Sequence, residues 1–316
     1  KNRRLMSEVQ PLRWARRKVL LAIFTCLVGV QMFLSWSAIL RLDKSQLSTA
    51  GGVAAPKFRT SRCSTEGLHT WFQKRGGSIR GVEVAEFAIP GGTRRGMAAT
   101  RDLSAGDILI EVPLSAALHS SALNIPEFDP NLNMIFVLLH QVLAGERSEY
   151  FQYLCSLPDS VDLPYFYNET RLGTLPKKFG KLIRENQAVF AKVWVQASRL
   201  GILGEEVPLG SFLWAASVVA SRIWPSPLAA NGTRAVMMVP VADMFNHDVH
   251  GSEASFRKHN QTGEAIFTIR ASVAVKRGSE VFISYGPKCD LKFLKEYGFV
   301  PPDSPSCQEF EDQHAV

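Results

Sequence analysis

The chain has 316 residues, 46% of them hydrophobic and 21% charged, which is enough for one substantial folded domain with an insertion or for two small domains. Its net charge of +7 lies almost entirely in residues 1–18, which carry seven Lys or Arg and one Glu. The other 298 residues therefore have a net charge of +1, which gives no support to a nucleic-acid partner.

The five cysteines are scattered along the chain. They form no C-x-x-C pair and no Cys/His cluster with the spacing of zinc ligands, so the sequence predicts no metal site. So few cysteines in so long a chain also argue against a disulfide framework. We therefore expect free thiols at all five positions: Cys26, Cys63, Cys155, Cys289 and Cys307.

The segment 19–40 is a run of 22 residues without a charge, and it follows the basic leader 1–18. A helix of this length would cross a hydrocarbon core of about 30 Å. The pattern predicts a transmembrane or targeting helix, and as a single-pass N-terminal anchor it would keep the basic leader cytosolic. A cleaved signal is the alternative, because the linker 41–70 is rich in Ser, Thr and Ala and resembles a transit peptide for a plastid or another organelle. Three glycosylation sequons, at Asn168, Asn231 and Asn260, leave the side of the membrane open.

The next elements are short strands. The stretch 82–89 (VEVAEFAI) alternates in part, and 107–113 (DILIEVP) is an apolar run. A glycine-rich turn, PGGTRRG at 90–96, separates them.

A helical block follows. Apolar residues recur at helical spacing in 130–146, and 146–158 gives a second helix that Pro158 ends. A long helix is predicted over 176–203 and another over 210–224, before Pro225.

Strand character returns at 235–245, 265–273 and 279–286. The order of strands, helices and strands predicts an α+β domain in which a helical insertion splits the two halves of the sheet.

Three ordered segments carry a family resemblance: RGMAATRDLSAGDILIEVP (95–113), SRIW (221–224) with VPVADMFNHDVHG (239–251), and VKRGSEVFISYGPKCDLKFLKEYGFV (275–300). Together they resemble the SET-domain family, in the branch typified by the Rubisco lysine methyltransferase, over about residues 71–300. The resemblance implies a SET β-fold with a pseudoknot and a helical insertion. The expected boundaries are 71–118 for the first part of the SET domain, 119–222 for the insertion, 223–300 for the second part and 301–316 for a tail.

The resemblance also implies S-adenosyl-L-methionine as the cofactor and no metal. Its binding residues would be Arg95, Gly96, Met97, Arg222, Asp243, Asn246, His247 and Tyr285. Arg222 would grip the methionine carboxylate of the cofactor, a role that suits a planar guanidinium. Thr93 and Arg94 stand where relatives often have an acidic residue and a glycine.

For the reaction, the resemblance makes Tyr285 the catalytic residue, with its hydroxyl orienting the acceptor amine. Trp224, Phe256, Tyr297 and Phe299 would form the walls of the substrate channel. An aromatic residue at position 224 favours lysine over histidine as the acceptor. Asp290 departs from the Asn that the family usually has five residues after the catalytic Tyr.

We therefore predict a protein-lysine N-methyltransferase whose partner is a protein substrate and which has no nucleic-acid partner. The chain ends 19 residues after Tyr297, without the carboxy-terminal helical module of that branch. A non-catalytic SET-fold binding module at a membrane is therefore the alternative. A nucleic-acid methyltransferase ranks last, because the G-x-G fingerprint of a Rossmann cofactor site is absent.

Overall fold

The computed structural model describes residues 56, 58–204, 207–227, 234–258 and 263–314, with backbone alone at 313 and 314. The predicted membrane or targeting helix 19–40 and the sequons at Asn231 and Asn260 lie outside these residues. No helix in the described part is both long and apolar enough to cross a bilayer.

Eleven strands in the described part form three small sheets. The strands are β1 Ser78–Ile79, β2 Val82–Ile89, β3 Gly92–Ala99, β4 Ile108–Pro113, β5 Leu118–His119, β6 Ile223–Pro225, β7 Val236–Met238, β8 Asn246–Ser252, β9 Ala254–Lys258, β10 Ala265–Arg270 and β11 Glu280–Ile283. Their orders are β1-β4-β10-β9, β2-β3-β11-β8 and β5-β7-β6. Each sheet therefore joins strands from before the helical block to strands from after it, as the sequence predicts for a split domain.

Eight α-helices accompany the sheets in the described part. They are α1 Thr65–Lys74, α2 Pro130–Ala144, α3 Phe151–Ser156, α4 Glu169–Gly173, α5 Lys177–Arg199, α6 Leu209–Arg222, α7 Asp290–Tyr297 and α8 Cys307–His314. Capping residues and a glycine determine where several of these helices begin or end. The side chain of Ser64 caps α1, and Asp129 caps α2 ahead of Pro130 at its first position. Gly298, at φ +83°, ends α7 in the left-handed conformation that glycine adopts at no cost.

The β2–β3 hairpin is longer than the sequence suggests. Residues 90–96 were expected to be a glycine-rich turn, but β3 already begins at Gly92. All eight residues of β2 pair with β3, from Val82↔Ala99 to Ile89↔Gly92. The turn is therefore only Pro90–Gly91, with Gly91 at φ +89°.

Two other predicted elements are shorter in the structure. The expected strand 235–245 ends at Met238, and a single 3₁₀ turn, Ala242–Met244, follows. The expected helix 146–158 contains only Phe151–Ser156 as α-helix, after the 3₁₀ turn Gly145–Arg147. Helix α6 ends at Arg222, and the chain passes directly into β6.

Strands β8 and β11 run parallel and cross closely, with Phe282 opposite Asn246 and Ile283 opposite Ser252. A Cβ at Gly251 would lie 2.5 Å from the carbonyl carbon of Ile283, so only glycine fits there. This crossing brings residues 246–247 beside residues 283–285, which are distant in sequence.

The prediction of free thiols is wrong for four cysteines. Cys63 is bonded to Cys155, and Cys289 is bonded to Cys307. The sequence spacing gave no sign of this, because partners 92 residues apart meet only through folding. The first bond ties the start of α1 to α3, and the second ties the start of α7 to α8. Cys26 lies outside the described residues.

Candidate functional site

Two cavities adjoin where the two halves of the β-fold meet α6. The larger has a volume of about 720 Å³ and the smaller about 430 Å³. Five residues line both and form a shared wall: Ser221, Arg222, Asp243, Tyr285 and Tyr297. The wall therefore separates two compartments that can each hold a ligand group.

Most of the predicted site residues meet at these cavities. Besides the shared wall, the larger cavity is lined by Arg95, Asn246, His247 and Phe299. Trp224 lines the smaller one. The sequence segments around 95, 222–224, 243–247 and 285–299 are thus brought together.

Three predicted site residues lie off both cavities. Met97 is fully buried in β3, where it pairs with Val84, and Gly96 is the residue before it in the same strand. Phe256 is 44% exposed on β9 and packs on Phe267, with ring centroids 5.6 Å apart. Trp224 also packs on Phe267, at 5.4 Å. Phe256 therefore reaches the site only through Phe267.

Arg222 and Asp243 form a buried ion pair in the shared wall. Arg222 Nη1 lies 3.6 Å from Asp243 Oδ2 and also donates to the Asp243 carbonyl. Tyr153 donates its hydroxyl to the same carboxylate oxygen at 2.8 Å. Burial raises the pKa of Asp243, while Arg222 opposes the rise.

Each partner of this pair keeps a free polar atom. Arg222 Nε and Asp243 Oδ1 are buried and have no hydrogen-bond partner among the described residues. An unpaired buried polar atom costs about 1–3 kcal/mol, so such atoms in a cavity wall are suited to a ligand.

The backbone before Asp243 is strained. Val241 has φ +68° and ψ −42°, a conformation that a β-branched residue rarely adopts, and it is 1% exposed. Strain of this kind costs of order 1–3 kcal/mol and persists only where the surrounding structure enforces it. It sits in the turn that carries Asp243 and leads into Asn246.

Asn246 is fixed by two hydrogen bonds from its amide group. Nδ2 donates to the carbonyl of Arg95 at 2.8 Å and to Oε1 of Glu280 at 2.6 Å. The other oxygen of Glu280 accepts from Arg94 at 2.7 Å. A Cβ at Gly96 would lie 2.4 Å from Glu280 Oε1 and 2.9 Å from Asn246 Nδ2. Gly96 therefore makes room for this amide–carboxylate pair.

His247 is held between two aromatic rings. Its ring stacks on Tyr285 at 5.0 Å and on Phe293 at 4.7 Å. The backbone N–H of Tyr285 donates to His247 Nδ1 at 3.1 Å. Nδ1 also lies 3.4 Å from the carbonyl of Ile283, and the shorter contact with the Tyr285 N–H corresponds to the tautomer with its proton on Nε2. Burial lowers the pKa of His247, in keeping with this neutral form.

Tyr285 places its hydroxyl in the shared wall. The hydroxyl donates to the carbonyl of Phe245 at 2.8 Å, which leaves its lone pairs free to accept. Burial raises the pKa of Tyr285 to about 12, so the hydroxyl stays protonated at neutral pH. The ring of Tyr297 lies 4.6 Å from that of Tyr285, and burial also raises the pKa of Tyr297.

Four arginines line the larger cavity together with four carboxylates: Arg59, Arg94, Arg95 and Arg222, and Glu86, Asp159, Asp162 and Asp243. Arg59 is paired with Asp159 at 3.0 Å, and Arg222 is paired with Asp243. Arg95 donates to the carbonyl of Ser156 at 2.6 Å, and no carboxylate among the described residues lies within 4 Å of it. Burial and then Arg222 lower the pKa of Arg95. Arg95 and Arg222 Nε together fit an anionic group such as a carboxylate.

In the described part, one group of potential metal ligands lies close enough to share an ion: Cys289, Asp290 and Cys307. Its two sulfur atoms are joined to each other, so neither is a thiolate ligand.

Sequence reasoning missed four residues that build the site. They are Tyr153, Glu280, Lys288 and Phe293. Phe293 precedes Tyr297 by one helical turn, so helical spacing in 290–297 was a usable signal for it. The contact of Tyr153 with Asp243 spans 90 residues and had no local signal.

Comparison with known sequences identifies the family. The profile of the SET domain matches residues 94–286, more than half of the chain. The chain belongs to the SET-domain family. The match includes the whole helical block, so the SET domain here is interrupted as the sequence suggested.

Curated relatives place this SET domain more closely. It is 23% identical over 268 residues to the chloroplastic Rubisco large subunit N-methyltransferase of Pisum sativum. It is 28% identical over 267 residues to SET domain-containing protein 4 of Mus musculus. These alignments cover 78% and 75% of the chain, but 52% and 58% of the two relatives. The chain thus spans little more than half the length of either.

A solved structure shares the fold. The crystal structure of the SET domain of LSMT bound to lysine and AdoHcy superposes with a TM-score of 0.64 at 22% identity. The superposition covers 76% of this chain and 57% of that one. The likeness confirms the α+β SET fold with its helical block.

Proposed function

We propose that this SET domain is an S-adenosyl-L-methionine-dependent protein-lysine N-methyltransferase. The observation that carries the proposal is the pair of cavities that share a wall at Arg222, Asp243 and Tyr285. A methyl transfer between two bound molecules needs such an arrangement, because donor and acceptor must approach from opposite sides of one point.

The larger cavity is the proposed cofactor site. S-adenosyl-L-methionine supplies a methyl group on a sulfonium, which makes the methyl electrophilic. Arg95 and Arg222 Nε offer donors for its carboxylate. Asp243 Oδ1 is a free acceptor for its ammonium group. His247, fixed between two rings, lines the cavity without adding a charge.

The smaller cavity is the proposed acceptor site. Trp224, Phe245, Tyr285 and Tyr297 supply aromatic surface for the aliphatic stem of a lysine side chain. Aromatic faces also attract a cationic amine on its way in. We infer lysine as the acceptor, supported by the aromatic lining of this cavity, to which Trp224 contributes.

The residues of this chain contribute mainly by positioning the two reactants. The acceptor nitrogen attacks with its lone pair, so it must be neutral, and it then loses a proton to solvent or another base. Tyr285 Oη can accept a hydrogen bond from the acceptor N–H, because its own proton is committed to the Phe245 carbonyl. Well-oriented reactants can gain about 7–11 kcal/mol from positioning alone. A reaction that depends on positioning does not need an ionised nucleophile in the cavity wall.

The boundaries of the SET domain and of its helical insertion also belong to this proposal. We propose that residues 71–118 and 223–300 form the SET domain, that 119–222 are the insertion, and that 301–316 are a tail. The arrangement of the three sheets supports these limits, since each sheet combines strands from both sides of the block.

We also propose that the domain works inside a membrane-bounded organelle. Two relatives of this SET domain are described as chloroplastic, and residues 41–70 resemble a transit peptide. The two disulfides fit a compartment more oxidising than the cytosol. Protease protection of a full-length fusion tests this, and a glycosidase shift distinguishes a secretory lumen from a plastid. A cytosolic, protease-sensitive protein would contradict it.

The catalytic proposal is tested with residues 56–316 and labelled S-adenosyl-L-methionine. Calorimetry should show cofactor binding, and incubation with a cell extract should label a small set of proteins. Cofactor binding without labelling of any protein would contradict the proposed activity. Absence of both in a folded protein would contradict the cofactor assignment as well.

A further inference from the structure

Lys288 projects into the proposed acceptor cavity. Its side chain lines the smaller cavity together with Tyr285 and Tyr297. Nζ donates to the carbonyl of Tyr285, and it lies 5.4 Å from the ring centroid of Tyr297 and 5.9 Å from that of Phe293. The ammonium is therefore held by a carbonyl and two aromatic faces.

This ammonium has no close anion. Among the described residues, no carboxylate lies within the 4 Å of an ion pair with Lys288, which is half-buried. Burial lowers the pKa of Lys288, with Glu296 opposing the shift and Lys292 adding to it. Taking an unpaired cation partly out of water costs free energy, so the position of Lys288 in this cavity suggests a function.

The charged side chains that line the smaller cavity are Arg222, Asp243, Glu253 and Lys288, and Lys288 is the cation of this lining without a carboxylate of the described residues within 4 Å. Arg222 and Asp243 are paired with each other, and His247 is neutral. Glu253 is exposed at the mouth, where solvent and salt screen it. The groups that line the cavity or face Lys288 are Arg222, Asp243, His247, Glu253, Tyr285, Lys292, Glu296 and Tyr297.

We propose that Lys288 is a positioning residue that lowers the pKa of the acceptor lysine. This rests on the proposed function, since it takes the smaller cavity as the acceptor site. A lysine in water has a pKa of about 10.4 and is almost wholly protonated at neutral pH. A second ammonium in the same partly desolvated cavity disfavours the charged form of the acceptor. The acceptor then loses its proton on entering and presents a lone pair.

The test compares Lys288→Met, which keeps the aliphatic stem, with Lys288→Arg, which keeps the charge. Lys74→Met is the matched control, since Lys74 is an exposed cation at the end of α1 and lines neither cavity. Methyl transfer to Nα-acetyl-lysine amide is measured from pH 6.5 to pH 10.5. We expect the profile of Lys288→Met to shift upward by about one pH unit, which makes the rate about ten-fold lower at pH 7.5. The rate should recover at pH 10.5, and Lys288→Arg and Lys74→Met should keep the wild-type profile within about two-fold.

A second readout does not depend on turnover. Acceptor binding to the complex with S-adenosylhomocysteine is measured by calorimetry at pH 8 in two buffers of different ionisation enthalpy. The wild type should release a measurable fraction of a proton per acceptor bound, and Lys288→Met clearly less.

The outcomes separate this inference from the proposed function. An equal loss of rate at every pH would show that Lys288 only supports the fold around Tyr285, and an unchanged profile would also overturn the inference. In both cases the methyltransferase assignment would stand. A wild-type protein that binds cofactor but methylates neither the small acceptor nor any extract protein would overturn both.

Discussion

The backbone N–H of Tyr285 donates to Nδ1 of His247, and the two rings stack 5.0 Å apart. This contact joins β8 to Tyr285, two residues after the end of β11, so it fixes the proposed catalytic tyrosine from a strand that is distant in sequence. It requires the neutral imidazole, because a protonated Nδ1 cannot accept.

His247 therefore makes folding sensitive to acid. Its pKa is lowered in the folded state, so its contribution to stability is present above about pH 6.5 and is lost as the pH falls below that value. Replacing His247 with Phe keeps the stack but removes the titrating group. Urea unfolding between pH 5 and 7.5 should show a smaller pH dependence for His247→Phe than for the wild type. Equal slopes would mean that His247 carries a proton in the folded state.

Asn246 supports the proposed cofactor site through the carbonyl of Arg95 and the carboxylate of Glu280. Asn246→Ala leaves both acceptors without this donor, at a cost of about 1–3 kcal/mol. We expect the free energy of unfolding to fall by this amount, and the affinity for S-adenosyl-L-methionine to fall because the Arg95 segment of the larger cavity loses the donor that fixes it. Asn131→Ala, at an exposed position on α2, is the control and should leave the affinity unchanged. Equal cofactor affinity for Asn246→Ala and wild type, by calorimetry, would remove Asn246 from the site.

The pair of Arg222 and Asp243 should show strong coupling. Arg222→Met strands a buried carboxylate and should lower the free energy of unfolding by about 3–5 kcal/mol. Adding Asp243→Asn removes that charge, so the double variant should be more stable than Arg222→Met alone. Chemical denaturation of the four proteins gives the coupling energy. Simple additivity of the two losses would show that the ion pair is not formed.

The disulfides should contribute to stability according to the loops they close. Cys63–Cys155 closes a separation of 92 residues and Cys289–Cys307 one of 18. Chain-entropy estimates are about 4–5 and about 3 kcal/mol, respectively. Cys63→Ser/Cys155→Ser should therefore lower the free energy of unfolding more than Cys289→Ser/Cys307→Ser does. Intact mass spectrometry after thiol alkylation checks the bonds, and four freely alkylated cysteines in the non-reduced protein would contradict them.

Local patterns in the sequence predicted the fold class and most of the strands and helices. β2 follows directly from alternation, and α6 follows from helical spacing, although the predicted end at 224 lies two residues beyond the observed end at Arg222. The ordered motifs also gave nine of the residues that line the two cavities, among them Arg222, Asn246 and Tyr285. Each of these residues lies in a motif that is visible within one continuous stretch of the sequence.

The remaining features depend on long-range contacts. The disulfide between Cys63 and Cys155 and the hydrogen bond from Tyr153 to Asp243 join residues at least 90 positions apart. Phe256 was misplaced for the same reason, because only the pairing of β9 with β10 shows that Phe267 separates it from Trp224. The spacing of residues along the chain does not reveal which distant residues will be in contact.

The central claim is a lysine-directed methyl transfer oriented by the hydroxyl of Tyr285. The most direct measurement is amino-acid analysis of hydrolysed substrate after incubation with labelled S-adenosyl-L-methionine, for the wild type and for Tyr285→Phe. We predict label in methyl-lysine for the wild type, and a turnover at least about ten-fold lower for Tyr285→Phe with nearly unchanged cofactor affinity. Label in methyl-histidine, or equal turnover by the two proteins, would contradict the account.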